Sequence, residues 1–204
     1  MTKLGRPQKS DSQATRLRIL TTARRLFADR GWDGTSNRAL ADAVGLTTGA
    51  LYHYFDRKLD LYEAVYAETQ RFVYEHLNRP VDECDTFIDA LRGVLDAAHD
   101  LNNEDESLAL FLGSCRTDVQ RHPELRSLVR GTVAELQDDF YARLVGLGVR
   151  TGEIDACRAD QITVLLQTLT IGLVDAVSSD RERHRDAVDA IVMLFEGKLV
   201  RAPA

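Results

Sequence analysis

Proline is scarce in this chain, with four in 204 residues, and aromatic residues make up only 7%. That pairing disfavours a sandwich or barrel of short strands and favours helices. Cys84, Cys115 and Cys157 stand far apart and odd in number. They fit neither a disulfide framework nor a metal knuckle, so buried or idle thiols in a reducing compartment are expected. His53, His76, His99, His122 and His184 are scattered and have no partner at a spacing such as HExxH, so no metal is expected. Glycine-rich phosphate loops, internal repeats and low-complexity tracts are absent. The most apolar run, Ile162–Val174, is broken by Thr163, Gln167, Thr168, Thr170 and Gly172, which makes it too short and polar to span a bilayer. The N-terminus has no apolar signal core. A soluble, cytoplasmic chain with no membrane partner is expected.

Catalytic pairings are equally thin. Ser114–Cys115 and His122 could be drawn as nucleophile and base, but Cys115 falls at the end of an apolar helix, where a packing thiol fits better. Asp138–Asp139 and Glu104–Asp105–Glu106 read as solvated surface and a helix start. A non-enzyme without a cofactor is expected.

What is present is a division of charge. The whole chain carries −6, but residues 1–60 hold 11 Lys/Arg against 6 Asp/Glu (+5), and the remainder holds 15 against 26 (−11). A basic head on an acidic body suits a nucleic-acid reader joined to a module that does not bind nucleic acid. The head contains TSNRALADAVGLTTGALYHYFDRK, Thr35 to Lys58. Ser36 can cap a helix carrying Leu40, Ala41 and Val44 inward, and Gly45 supplies a left-handed end with Leu46 packed beneath it. Thr47 caps a second helix, Thr48 to about Phe55, whose Leu51 and Phe55 face the core. Two short helices about a glycine turn make a helix-turn-helix. Thr48, Gly49, Tyr52 and His53 lie off the apolar side and suit phosphates and base edges in a major groove.

This run resembles the DNA-binding segment of the tetracycline-repressor (TetR/AcrR) family. The residues that carry the likeness are Thr35–Ser36, Leu40–Ala41, Val44–Gly45–Leu46–Thr47, Gly49, Leu51–Tyr52, Phe55 and Lys58. It covers about the first sixty residues. Beyond them only length and helical layout match. Asn37 and Ala39 depart from the pattern, Ala39 because it removes the acid that would complete a capping box. The resemblance implies double-stranded operator DNA as partner, with Ser36, Arg38, Thr47, Thr48, Gly49, Tyr52, His53 and Lys58 at the interface. Tyr52 and Lys58 are assigned to phosphates, Arg38 and His53 to base edges.

The remaining periodicity predicts an all-α fold of about nine helices: a head over residues 1–58, whose first twelve form a flexible basic arm, and a helical body over 59–204. A first helix is predicted over Ser12–Arg30, ended by Gly31. A long helix from Arg57 to about Leu77, capped by Asp56 and closed by Pro80, joins head to body. Further helices are predicted over Asp82–Leu101, Asp105–Cys115, from Pro123 to the Gly146–Gly148 stop, Ala156–Ser178 and Arg183–Val200. The last two carry Ile162, Leu165, Leu166, Leu169, Leu173, Val188, Ile191, Val192 and Phe195, faces wider than one partner helix covers. In the family this pair forms a two-fold seam, and a homodimer is expected. The middle helices bring together more apolar side chains than one layer needs. A small, mainly apolar effector is therefore expected among Leu91, Phe111, Leu128 and Phe140, with Cys115, Arg116 and Gln167 as sparse polar groups. The reading is a ligand-released repressor bound to a palindromic operator. The alternatives are a DNA-binding module whose body recruits a protein and has no small ligand, or a helical enzyme with a decorative helix-turn-helix. Arg38, Tyr52, His53 and Lys58 along one face weigh against the enzyme.

Overall fold

A computed structural model describes residues 8–128, 132–176 and 180–200. Among them run nine α-helices and no strand: α1 Gln8–Gly34, α2 Asn37–Val44, α3 Thr48–Tyr52, α4 Lys58–Glu83, α5 Phe87–Glu104, α6 Ser107–Arg121, α7 Thr132–Thr151, α8 Ala159–Ala176 and α9 Arg181–Phe195. Single 3₁₀ turns at Pro123–Ser127 and Ala156–Arg158 precede α7 and α8. No described helix is long and apolar enough to cross a membrane. Of the expected arm, residues 1–7 lie outside the described residues, while α1 already begins at Gln8.

The head forms where local chemistry dictates it. Ser36 Oγ accepts the Ala39 amide at 3.1 Å, and Thr47 Oγ1 accepts that of Ala50 at 3.1 Å. Gly45 ends α2 at φ 74°, a backbone angle that costs other residues a Cβ clash. Gly31 (φ 65°) breaks α1 so that Trp32 turns back toward Phe27 and Tyr62. Ile19, Leu20, Ala23 and Phe27 of α1 meet Leu40, Val44, Leu51 and Phe55 in one core.

That core does not stop at residue 58, where the head was expected to end. It takes in Leu61, Tyr62 and Val65 of α4, Phe111 and Cys115 of α6, and Leu125 and Leu128. A second core fills the body between α4, α5, α7, α8 and α9. Among the described residues α4 runs through both and spans 26 residues, about 39 Å by helical rise.

Several expected boundaries are corrected. Asp56 does not cap α4, because Arg57 is the N-cap and makes no side-chain cap bond. Pro80 does not close α4, which continues to Glu83. A Cβ on Gly93 would come within 2.7 Å of the Pro80 ring, so glycine on α5 leaves room for the proline inside the helix. Pro123 opens a 3₁₀ turn and not α7, and Gly146 and Gly148 lie inside α7, which runs on to Thr151. A Cβ on Gly148 would meet Ile154 Cδ1 at 2.6 Å, so this glycine lets a returning chain approach.

Candidate nucleic-acid interface and effector cavity

The interface residues named from sequence share one end of the head. Ser36 and Thr47 have their side-chain oxygens turned to helix amides. Thr48, Gly49 and His53 are exposed along α3. Tyr52 is 41% exposed, and its hydroxyl accepts Asn37 Nδ2 at 2.6 Å. Asn37, a departure from the family pattern, therefore ties α2 to α3 on the outer face. Sequence reasoning noted the residue and missed this role, because its partner lies fifteen positions away. The Arg38 side chain is 89% exposed and faces Asp42 at 3.8 Å. Such a loose surface pair contributes little, so the guanidinium can exchange it for a base or phosphate.

Lys58 is placed differently. Its ammonium donates to the Trp32 carbonyl and stands 4.1 Å from the centre of the Trp32 ring. Burial lowers its pKa, against the pull of Asp33 and Asp118. It fastens α4 to the end of α1. The first amides of α4 are not capped by a side chain, and exposed Arg57 beside them pairs with Asp60 at 2.5 Å. Helix starts of this kind suit a phosphate.

Between α4, α5, α6, α7 and α8 lies a cavity of about 330 Å³. Of the residues named for an effector, Cys115, Arg116, Phe140 and Gln167 line it. Leu91, Phe111 and Leu128 do not. Leu91 packs against α7 and α8 in the body core. Phe111 lies within 6.3 Å of Phe27 and 5.3 Å of Tyr62, ring centre to ring centre, and Leu128 belongs to the same head-side core. α6 is apolar nearly all round at Leu108–Leu112, so sequence periodicity alone could not tell its two buried faces apart.

Three polar pairs sit on the cavity wall: Gln70 Nε2 donating to Tyr66 Oη at 3.0 Å, Tyr141 Oη donating to Thr170 Oγ1 at 3.0 Å, and His184 Nδ1 against His99 Nδ1 at 3.0 Å. Arg116 is bonded to Asp175. Burial pushes the Cys115 thiol up to about 12, so it is protonated at neutral pH. Burial, reinforced by His99, holds His184 below the usual imidazole range. The unfolded chain takes up that proton near pH 6.5, whereas the folded chain resists it to a lower pH. The stability that neutral His184 contributes is thus present above about pH 6.5 and lost as pH falls below it. Melting temperature should drop between pH 7 and pH 5.5, and His184→Asn should flatten that slope. An unchanged slope would mean that the ring does not resist protonation.

One wall of the cavity also holds the head. Leu112, Arg116 and Val119 of α6 face the cavity, while Asp118, buried on the same helix, accepts the Trp32 amide at 3.0 Å and the Tyr62 hydroxyl at 2.8 Å. At the start of α6, Arg24 of α1 donates to Asp105 at 2.6 Å and to Ser107 at 3.1 Å. His122 Nε2, just past its end, meets Asp33 at 3.0 Å. The head is fastened at both ends of a cavity wall.

The expected seam residues divide. Leu166, Leu173, Val188, Ile191 and Val192 are buried inside the protomer, and Ile162, Leu169 and Phe195 are half-buried against the same core. Within the protomer α5 and α7 cover much of these faces. Leu165 is exposed, and with it Val164, Ile171, Met193 and Leu194. The expected continuation of α8 at Val177 lies outside the described residues.

Residues 19–65 match the family model described as bacterial regulatory proteins, tetR family. Over 193 residues the chain is 23% identical to the HTH-type transcriptional regulator UidR of Escherichia coli K12, covering 94% of this chain and 96% of the relative. Among solved structures it is similar to Salmonella enterica GusR at 26% identity and TM-score 0.67, covering 97% of this chain and 99% of that one. It also shares the fold of AibR, solved in complex with isovaleryl coenzyme A and operator DNA, at 20% identity and TM-score 0.70, over 88% of this chain and 97% of that one.

Proposed function

Because the chain is a transcriptional regulator of the TetR family, we propose that it is a repressor that binds a palindromic operator as a homodimer and is released by a small, mainly apolar effector. The observation that carries this reading is that α4 and α6 each line the cavity and each close the core of the head. Two heads must sit about one turn of DNA apart to meet both half-sites. A ligand that displaces α6 shifts Asp118 and Asp105, and with them the Trp32 and Arg24 ends of α1. A coupling of a few kcal/mol between the two sites releases DNA tenfold or more. Ser36, Arg38, Thr47, Thr48, Gly49, Tyr52 and His53 form the operator surface of the proposal. Lys58 supports that surface from behind. Arg57 and the free amides of α4 add a phosphate contact. The exposed faces of α8 and α9 form the seam. AibR was solved with isovaleryl coenzyme A and operator DNA together, which supports a two-site reading on this fold.

Selection from random duplex DNA should return an inverted repeat, and recovery of unrelated single sites would contradict the dimer. The cavity is tested by Ala98→Trp, a substitution on α5 at its wall. An open cavity accepts the indole with little loss of stability, and operator affinity then either stays intact with release abolished or falls at least tenfold. A solid core would be overpacked by typically about 1–3 kcal/mol. A large drop in melting temperature with no selective effect on DNA binding would remove the effector from the proposal.

A further inference from the structure

Resting on the reading of the cavity as the effector site, we infer that the effector is an uncharged molecule whose apolar body carries hydroxyl groups, held by the Tyr74 hydroxyl and the carboxamides of Gln137 and Gln167. All three side chains line the cavity, from α4, α7 and α8. None of the three has a side-chain hydrogen-bond partner among the described residues. None has its polar atoms sealed off by neighbouring atoms, so a ligand can reach them. Phe140, one turn along α7 from Gln137, holds its ring 5.3 Å from that of Tyr74, centre to centre. Tyr141, also one turn on, donates to Thr170, which lies one turn from Gln167 on α8. The three unmatched groups therefore share the α4–α7–α8 side of the cavity. From α5 and α6 come mainly apolar side chains, among them Val94, Leu95, Ala98, Leu108 and Leu112.

Charge finds no counterpart there. Arg116 is the one permanently charged side chain among the described residues of the lining, no carboxylate joins it, and it is bonded to Asp175. Burial pushes the phenols of Tyr66, Tyr74 and Tyr141 above their usual range, so they stay neutral. An ion entering the cavity would lose its water without a free countercharge. A purely apolar ligand fits no better, because it would shield the three groups from water and offer them nothing in return. An ether or ketone oxygen accepts from the phenol or an amide N–H, yet leaves the carboxamide oxygens without a donor. A hydroxyl both donates and accepts, as the Tyr74 hydroxyl and each carboxamide do. Hydroxyls on an apolar body therefore match all three.

The test uses the full chain and calorimetric titration with probes that share one hexylphenyl body, each below its micellar concentration. They are 4-hexylresorcinol, 4-hexylanisole, 4-hexylbenzoate and 4-hexylbenzylammonium. The resorcinol should bind and weaken operator binding, with the other probes at least about tenfold weaker. Tyr74→Phe, which removes one oxygen and keeps the ring, should lower resorcinol affinity about tenfold, and Gln137→Leu should do the same. Neither change breaks a side-chain hydrogen bond in the free protein, so melting temperature should not fall. Gln137→Glu should raise the affinity of the benzylammonium at least about tenfold by supplying a countercharge, an effect that a purely structural Gln137 would not produce. Four results would each overturn the inference: an ion or the anisole binding as tightly as the resorcinol in the unaltered protein, resorcinol affinity indifferent to both Tyr74→Phe and Gln137→Leu, benzylammonium affinity indifferent to Gln137→Glu, or no resorcinol binding at all. If the resorcinol fails while Ala98→Trp still acts selectively on operator binding, the chemistry inferred for the effector is wrong and the effector cavity stands. If the resorcinol binds through Tyr74 and Gln137 and operator affinity does not move, the effector role itself is wrong.

Discussion

Gly49→Glu is expected to lower operator affinity by at least about 100-fold while leaving the melting temperature unchanged or slightly raised. Gly49 lies in α3 with ordinary helical backbone, and a Cβ built there meets nothing within 4 Å. A side chain can therefore be added without strain, and leaving glycine behind in a helix gains about 0.5–1 kcal/mol. The same open space is where the proposal puts DNA. A glutamate there meets phosphates of like charge and blocks the close approach of the backbone. A lost base-edge contact costs about 1–3 kcal/mol per head, and a dimer loses two. Gly49→Gln separates bulk from charge, since it should lose less than the glutamate and show a weaker salt dependence. Operator binding within threefold of the unaltered protein in both variants would take α3 out of the interface.

The second large effect concerns assembly. Leu165→Glu combined with Leu194→Glu should turn a dimer into monomers at micromolar concentration, with helical content and melting of the protomer nearly intact. Both side chains are exposed on the protomer, so the protomer loses little when they become polar. Across a two-fold seam each change occurs twice, and each buried carboxylate without a partner costs several kcal/mol. Ile191→Glu is the contrast. Ile191 is 7% exposed inside the body core, so that change should unfold the protomer before it speaks to association. Sedimentation of the double variant as an unchanged dimer would move the seam away from α8 and α9.

The difference between these two variants shows what the sequence could and could not reveal. The spacing of α8 and α9 marks Leu166, Leu173, Val188 and Ile191 as apolar and helical, which they are. It does not say whether the covering surface is α5 and α7 of the same chain or a second copy, because either presents the same water-free surroundings. The caps were legible for the opposite reason. Ser36, Thr47 and Gly45 satisfy amides and backbone angles within a few residues of themselves, and no distant partner enters. Lys58 sits in a matching motif, yet its ammonium turns to Trp32, 26 positions earlier. Pro80 was misread because the glycine that makes room for it, Gly93, belongs to another helix. In the cavity, Arg116 and Gln167 were found as polar residues interrupting apolar helices. Tyr66 and Tyr141 were not singled out, and His184 was weighed only as a metal ligand, because nothing local in the sequence says which helix face meets a cavity.

The clasp that Asp118 and Asp105 make on α1 bears on how such chains can be recombined. A hybrid joined at residue 58, with this head grafted to the body of a distant relative, would carry Trp32 and Arg24 away from their partners Asp118 and Asp105. The Trp32 amide and the Arg24 guanidinium would face a foreign surface, and the graft would fold loosely at its junction whatever its two parents did alone. Transplanting residues 105–121 together with the head carries both fastenings across. New specificities on this scaffold are thus exchanged as a discontinuous unit, head plus sixth helix, with the intervening helices left behind.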